Sequence, residues 1–306
     1  MSEKVQIFIT HYETTRPDRH GMVKPYSLLL KNTIKSVKRH TVHPDYEIVV
    51  VYNYDTREDS RRLEKSVQPD VKLLHNRRGK SYQSAVNLAH LTAETKYFVL
   101  LHNDVKVPHG WLRNLLIEIK NAEKQFKTPC MISPSYLDYL IEDEDRKHPF
   151  FWHLHEAGRA KFPKEMEEYC KRYNIPFQNG YVYCKSPYEG PVELEGTPVT
   201  DSGATIMMHI ANSRWHEVGG LFDESMCGFG FADADWGIRA LLNGAKHLVS
   251  HTVFFMHISG VTTTEHRFEV NNVEIFRRKW GEEILQKYLD GSIWPELHGR
   301  QRRCLQ

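Results

Sequence analysis

Four short apolar runs alternate with helical patterns over the first third of the chain, and that alternation fixes the class of fold before any single residue is considered. The runs are Val5–Thr10, Glu47–Tyr52, Val71–Leu74 and Tyr97–Leu101. Between them, apolar residues at helical spacing mark Tyr26–Arg39 (Leu28, Leu29, Ile34, Val37) and Ser81–Leu91 (Val86, Leu88, Ala89), and Asp59–Val67 also reads as helical. The stretch Ile48-Val49-Val50-Val51 is apolar without alternation, as expected of a strand covered on both faces. The order β-α-β-α-β-α-β predicts an α/β fold, a parallel sheet flanked by helices. Right-handed crossovers then bring the carboxyl ends of all four strands to one edge. Ligands of open α/β sheets sit just outside that edge.

The fourth run ends abruptly, as Leu100-Leu101-His102-Asn103-Asp104. Two readings fit. Hard oxygen ligands at a strand end suit Mg²⁺ or Mn²⁺, which in turn grip a diphosphate. The same residue types also cap helices, and a helix is expected to start near Trp111.

Composition narrows the partners. The chain has 306 residues and a formal net charge of +2, so charge indicates neither nucleic acid nor membrane. No apolar run approaches the roughly 20 residues that cross a bilayer. Cys130, Cys170, Cys184, Cys227 and Cys304 are odd in number, widely spaced and contain no Cys-x-x-Cys pair, which fits free thiols in a reducing compartment. Val5–Ile9 already reads as a strand rather than a signal segment, so a cytoplasmic protein is expected.

Residues 135–200 break the pattern. They are rich in aromatic residues, His and Pro, with a charged run from Glu142 to Lys147. A helix is expected over 156–173 and a loop or hairpin over 176–200, an insertion within one domain. Beyond it come a strand over Asp201–Met208, a short helix around Ser213–Val218, and a helix over Ala234–Asn243 that Gly244 ends. A strand over His247–Met256 follows, then a helix over Asn271–Lys279 closed by Trp280-Gly281.

Residues 218–240 read Val-Gly-Gly-Leu-Phe-Asp-Glu-Ser-Met-Cys-Gly-Phe-Gly-Phe-Ala-Asp-Ala-Asp-Trp-Gly-Ile-Arg-Ala. This resembles the late signature of the inverting family-2 glycosyltransferases of the GT-A fold: Gly-Gly-Phe-Asp-Glu, then Gly-x-Gly, then Glu-Asp-x-Asp, then an Arg on the next helix. The resemblance takes in most of the chain apart from 135–200. It implies one Rossmann-like GT-A domain over 1–290, with a nucleotide-binding half (1–110) and an acceptor and catalytic half (111–290). A basic tail, 291–306, follows.

The resemblance also implies roles residue by residue. Asp233 matches the Asp that deprotonates the acceptor hydroxyl, although Ala232 stands where the family has Glu. Asp104 matches the family's final strand-end carboxylate and His257 its late histidine, together the metal ligands for Mn²⁺ or Mg²⁺. Asn103 stands where many members carry a second Asp and is placed with the nucleotide, and His102 is a further departure. Thr10, Tyr12, Arg78 and Gly79 fall where the family meets base, ribose or phosphate. The usual Asp after the second strand is lost in direct register, leaving Asn53 and, from a shifted loop, Asp55. Asp201, Gly203, Gly230 and Trp236 are placed with the sugar or acceptor, with core packing as the alternative for Trp236. Asp235 is read as a helix cap or as an ion-pair partner of Arg239. Thr262–Thr264 and His266 are read as a lid or a polar loop.

The implied activity is transfer from a nucleoside-diphosphate sugar, with UDP as the expected nucleotide, to an acceptor hydroxyl on a glycan. Alternatives are a phage-type DNA glycosyltransferase acting on hydroxymethylated bases and a nucleotide-sugar-binding protein that has lost catalysis. A nucleotidyltransferase or Rossmann dehydrogenase is disfavoured, because no glycine follows the first strand before Gly21.

Overall fold

The computed structural model describes residues 3–14, 26–79, 81–140, 177–178, 181–182, 192–193, 208–227, 230–259 and 270–289. Its strands are β1 (Val5–Glu13), β2 (Tyr46–Tyr54), β3 (Val71–His75), β4 (Tyr97–His102), β5 (Val105–Lys106), β6 (Cys130–Leu140), β7 (Phe177–Gln178), β8 (Tyr181–Val182), β9 (Val192–Glu193), β10 (His209–Asn212) and β11 (Lys246–Ser259). The helices are α1 (Tyr26–His40), α2 (Arg57–Ser66), α3 (Tyr82–Thr92), α4 (Trp111–Phe126), α5 (His216–Gly219), α6 (Ala232–Leu242) and α7 (Asn272–Leu289).

Nine strands form one sheet in the order β3-β2-β1-β4-β10-β6-β11-β5, with β9 added against β11. The long ladders are parallel, β1 on β2 and β4, β2 on β3, and β6 on β11. The short ones, β10 on β4 and β6, and β5 and β9 on β11, are antiparallel. The sheet is thus mostly parallel, as the alternating pattern predicts. The antiparallel β10 at its centre was not foreseen.

Period-2 alternation sends neighbouring side chains to opposite faces, and each face has its own core. Ile7, Ile9, Val50, Val99 and Leu101 pack with Leu30 and Ile34 of α1 and with Trp111, Leu115 and Ile119 of α4. Phe8, Val49, Val51, Phe98 and Leu100 pack on the other face with Ala85, Val86 and Ala89 of α3, Trp236 and Ile238 of α6, and Phe276 of α7. Both faces of β1, β2 and β4 are therefore covered, which explains their unbroken apolar sequences.

Local signals set several boundaries. Thr56 and Asp59 form a reciprocal capping box at the start of α2. Ser81 caps α3 by accepting from the Ser84 amide at 3.1 Å.

Two expectations need correction. β1 does not end at Thr10; it runs on to Glu13, because polar His11 and Glu13 bond to one another at 2.8 Å and stay buried. β6 continues to Leu140 in parallel with β11, so the insertion does not begin at 135. The strand expected over 201–208 lies, apart from Met208, outside the described residues; β10 begins next to it at His209. The helix closing at Trp280-Gly281 is found: Gly281 is non-helical (φ 82°), and α7 comprises this helix and a second helical stretch that runs on to Leu289. The β7–β8 pair falls in the hairpin expected over 176–200, whereas the helix expected over 156–173 and the 262–266 loop lie outside the described residues. Among the described residues no helix is long and apolar enough to cross a membrane.

Candidate active site

The site is built where β4 stops. Asp104 follows that strand by two residues, and the chain then pairs at once with β11, Val105 opposite His257. This register brings the late histidine to the early carboxylate. His257 Nε2 is 3.5 Å from Asp104 Oδ1, and His102 Nδ1 approaches the same oxygen at 4.0 Å. The two rings stand edge to face, 5.5 Å apart. Ligand atoms of His102, Asp104 and His257 all lie within 4.8 Å of one another.

The donor set suits a divalent ion. The two separations involving Asp104, 3.5 and 4.0 Å, already fall inside the span of about 4.2 Å between ligands on opposite sides of an ion about 2.1 Å from each. Two imidazoles and one carboxylate favour Mn²⁺ or a later transition metal over Mg²⁺. Asp104 is only 1% exposed. Burial opposes its charge, but His257 and then His102 outweigh that and hold its carboxyl below the usual range.

Asp233 has a contrasting environment. It sits in the first turn of α6 and is buried, and its Oδ2 has no hydrogen-bond partner among the described residues. Burial raises its pKa to about 6, against the opposing pull of the Ala234 and Asp233 amides. The residue before the helix, Phe231, is left-handed (φ 61°), a conformation that costs a non-glycine residue about 1 kcal/mol. Its ring is held by Phe276 and Tyr288 of α7, at 5.4 and 5.2 Å. Strain at this point aims the first turn.

Tyr82, the first residue of α3, links the two regions. Its hydroxyl lies 2.9 Å from His102 Nε2. Burial, then the carboxylates of Asp104 and Asp233, push its phenol well above the ordinary range, so its ring is within electrostatic reach of both. Tyr288 of α7 also feels Asp233.

Most of the residues expected to meet the nucleotide lie on or just after β1, β2 and β3. Tyr12 and Thr14 donate to the two oxygens of Asp55 at 2.6 and 2.5 Å, so the shifted carboxylate is fixed on the end of β1. Thr10 instead ties β1 to β4 through the Leu101 carbonyl. Asn53 is buried opposite Tyr12 in the β1–β2 ladder. Asn103 Nδ2 bonds His11 Nδ1 at 2.8 Å, His11 bonds Glu13, and Glu13 accepts from Arg62 at 2.7 Å. Arg78 is engaged by Glu224 at 3.2 Å. Gly79 packs tightly, since a Cβ there would meet Ser84 Oγ at 3.2 Å.

Of the residues expected at the acceptor, Gly230 is left-handed (φ 71°) and its carbonyl accepts from Asn272 at 2.6 Å. Trp236 is fully buried, 4.3 Å from Phe222 and bonded to the Gly220 carbonyl, so its ring belongs to the core and does not face a sugar. Asp201 and Gly203 lie outside the described residues. Asp235 is no cap: Arg239, Lys279 and Trp280 all reach its carboxylate, at 2.8 to 2.9 Å.

Two residues beside the site escape the sequence pattern. His102 reads as a departure from the family, yet its spacing from Asp104 at a strand end is the signal that both can face one ion. Tyr82 gives no linear signal, because its contact is made across the β4 edge.

The fold is shared with known enzymes. The crystal structure of GalNAc-T7 with UDP, GalNAc and Mn²⁺ superposes with a TM-score of 0.55 at 14% identity, covering 86% of this chain. The chain spans 45% of GalNAc-T7. The crystal structure of S. aureus TarS 1-349 gives a TM-score of 0.50 at 12% identity, covering 94% of this chain and 70% of that one. No curated protein matches at the sequence level. The sequence does match the profile of glycosyl transferase family 2 over residues 27–181, a span that reaches into the expected insertion and ends before the 218–240 signature. That span is more than half of the chain, which therefore belongs to glycosyl transferase family 2.

Proposed function

We propose that this glycosyltransferase moves a sugar from a UDP-sugar to a glycan hydroxyl with inversion at the anomeric carbon, and that Asp233 is the base. The observation that carries the reading is the pairing of two carboxylates with opposite environments. Asp104 is held charged between two histidines, while Asp233 is buried with one oxygen unpartnered among the described residues and a pKa of about 6. A base poised just below neutrality suits proton removal from an alcohol.

In the step itself, Asp233 takes the hydroxyl proton as the acceptor oxygen bonds to the anomeric carbon. The bond from that carbon to the phosphate oxygen breaks, and the nucleoside diphosphate leaves. A divalent cation held by His102, Asp104 and His257 would neutralise the charge developing on the diphosphate. Asp55, fixed by Tyr12 and Thr14, would accept from base or ribose, and the Asn103–His11–Glu13–Arg62 chain stiffens the strand edge beside it. The UDP and Mn²⁺ of the GalNAc-T7 structure support this choice of donor and ion.

The test is release of UDP from UDP-hexoses with a panel of glycan acceptors. Asp233→Asn is expected to lower turnover by about a thousandfold or more while UDP affinity stays within a few-fold. Comparable turnover in Asp233→Asn would remove the base assignment.

A further inference from the structure

His102 has two ring nitrogens in two different settings. Nδ1 is 4.0 Å from Asp104 Oδ1, the oxygen that His257 Nε2 approaches at 3.5 Å. Nε2 lies 2.9 Å from the Tyr82 hydroxyl. A neutral imidazole carries one hydrogen, and only the bare nitrogen can bind a metal. Whatever fixes the hydrogen on one nitrogen therefore decides whether the other is a ligand.

We propose that Tyr82 is the positioning residue that makes His102 a metal ligand: its oxygen accepts the Nε2 hydrogen, which leaves the Nδ1 lone pair facing Asp104 and His257. This rests on the metal reading of the preceding subsection and adds to it a residue that touches neither ion nor substrate.

The setting of Tyr82 supports the role. It opens α3 directly after the Ser81 cap, so its backbone is fixed by the Ser84 amide bond to that cap. Its ring stands edge-on to His102 at 5.0 Å and 81°, and to Phe222 at 6.3 Å and 75°. Phe222 is in turn clamped to the same helix, because Asn87 exchanges two hydrogen bonds with its backbone, at 2.8 and 3.0 Å. Helix α3 thus grips the 220–227 loop with one residue and the end of β4 with another. An imidazole at a strand end, where a carboxylate would otherwise serve, needs such a partner, because a carboxylate has no tautomer to select.

The experiment is a titration of Mn²⁺ into the chain, followed by loss of the free-ion EPR signal. Tyr82→Phe keeps the ring and removes only the oxygen. It is expected to weaken Mn²⁺ binding by about 10–100-fold with no comparable change in the melting temperature. On a His102→Ala background the same substitution is expected to cost nothing more. In the Co²⁺-loaded chain, the His102 Nε2 hydrogen should appear as a hyperfine-shifted exchangeable NMR resonance, lost to exchange in Tyr82→Phe. Parent-like Mn²⁺ affinity in Tyr82→Phe, or an equal loss on the His102→Ala background, would overturn the tyrosine's role. Asp104→Ala separates the two readings. If it abolishes Mn²⁺ binding, the metal site stands whatever Tyr82→Phe does. A parent chain that binds no Mn²⁺ overturns both.

Discussion

Asp233, the proposed base, sits in an environment that disfavours its charged form, and this has a measurable cost. Burial raises its pKa from 3.8 to about 6. Below pH 3.8 the carboxyl is neutral whether the chain is folded or not, and the penalty is absent. It grows as the pH rises toward 6 and is complete above that value, at roughly 3 kcal/mol. Asp233→Asn should therefore stabilise the fold by up to about that amount at pH 7.5, with the gain vanishing near pH 4, as urea melts at the two pH values will read. The parent's kcat/KM should rise tenfold per pH unit up to about 6 and then level. A stabilised, inactive variant marks a group strained for function. At this scale the meeting of Asp104 and His257 was legible, because each sits at a fixed offset from a strand end or motif. The place of Tyr82 was not, because it acts across two elements. Trp236 misled because its place next to the motif says nothing about which way its helix faces.

Helix α7 holds α6, the helix of the proposed base, through an ion pair and a hydrogen bond to buried Asp235. Lys279 reaches both Asp223 and Asp235 at 2.9 Å, Trp280 donates to Asp235 at 2.8 Å, and Arg239 closes the set. Asp235 is fully buried, so Asp235→Ala would strand these donors and should cost about 3–5 kcal/mol in a urea melt. A loss under about 1 kcal/mol would mean that the network is solvated. A second element junction is sensitive to acid. His90 of α3 and His209 of β10 meet at 3.1 Å, and burial first, then His209 and His216, hold His90 well below its ordinary 6.5. The unfolded chain takes up this proton as pH falls through 6.5 and the folded chain does not, so stability is present above that pH and lost below it. His90→Phe should flatten the fall in melting temperature between pH 7 and 5. An unchanged slope would place the acid sensitivity elsewhere. Element boundaries failed in the sequence where polar residues were satisfied inside the sheet. His11 and Glu13 look like loop residues until Asn103 and Arg62 are seen to complete their hydrogen bonds.

At the scale of the whole molecule, the sheet order explains how early and late sequence meet. The antiparallel β10 lies between β4 and β6, and β5 then pairs beside β11, so the end of β4 and His257 come together although more than half of the chain separates them. Alternating runs predicted the parallel half, because βαβ units are local and follow from periodicity. Nothing local specifies β10 or the β5–β11 pairing, which depend on contacts between distant segments. The family signature supplied that juxtaposition by resemblance, and the register supplies its physical basis. The account stands or falls on whether these strand ends form one metal-assisted nucleotide site. The deciding measurement is calorimetric titration of UDP into the parent chain and Asp104→Ala, each with Mn²⁺ and with chelator. The account predicts that UDP binds the parent at least about tenfold more tightly with Mn²⁺, and that the difference disappears in Asp104→Ala. UDP binding that ignores both the ion and Asp104, or no UDP binding at all, would contradict it.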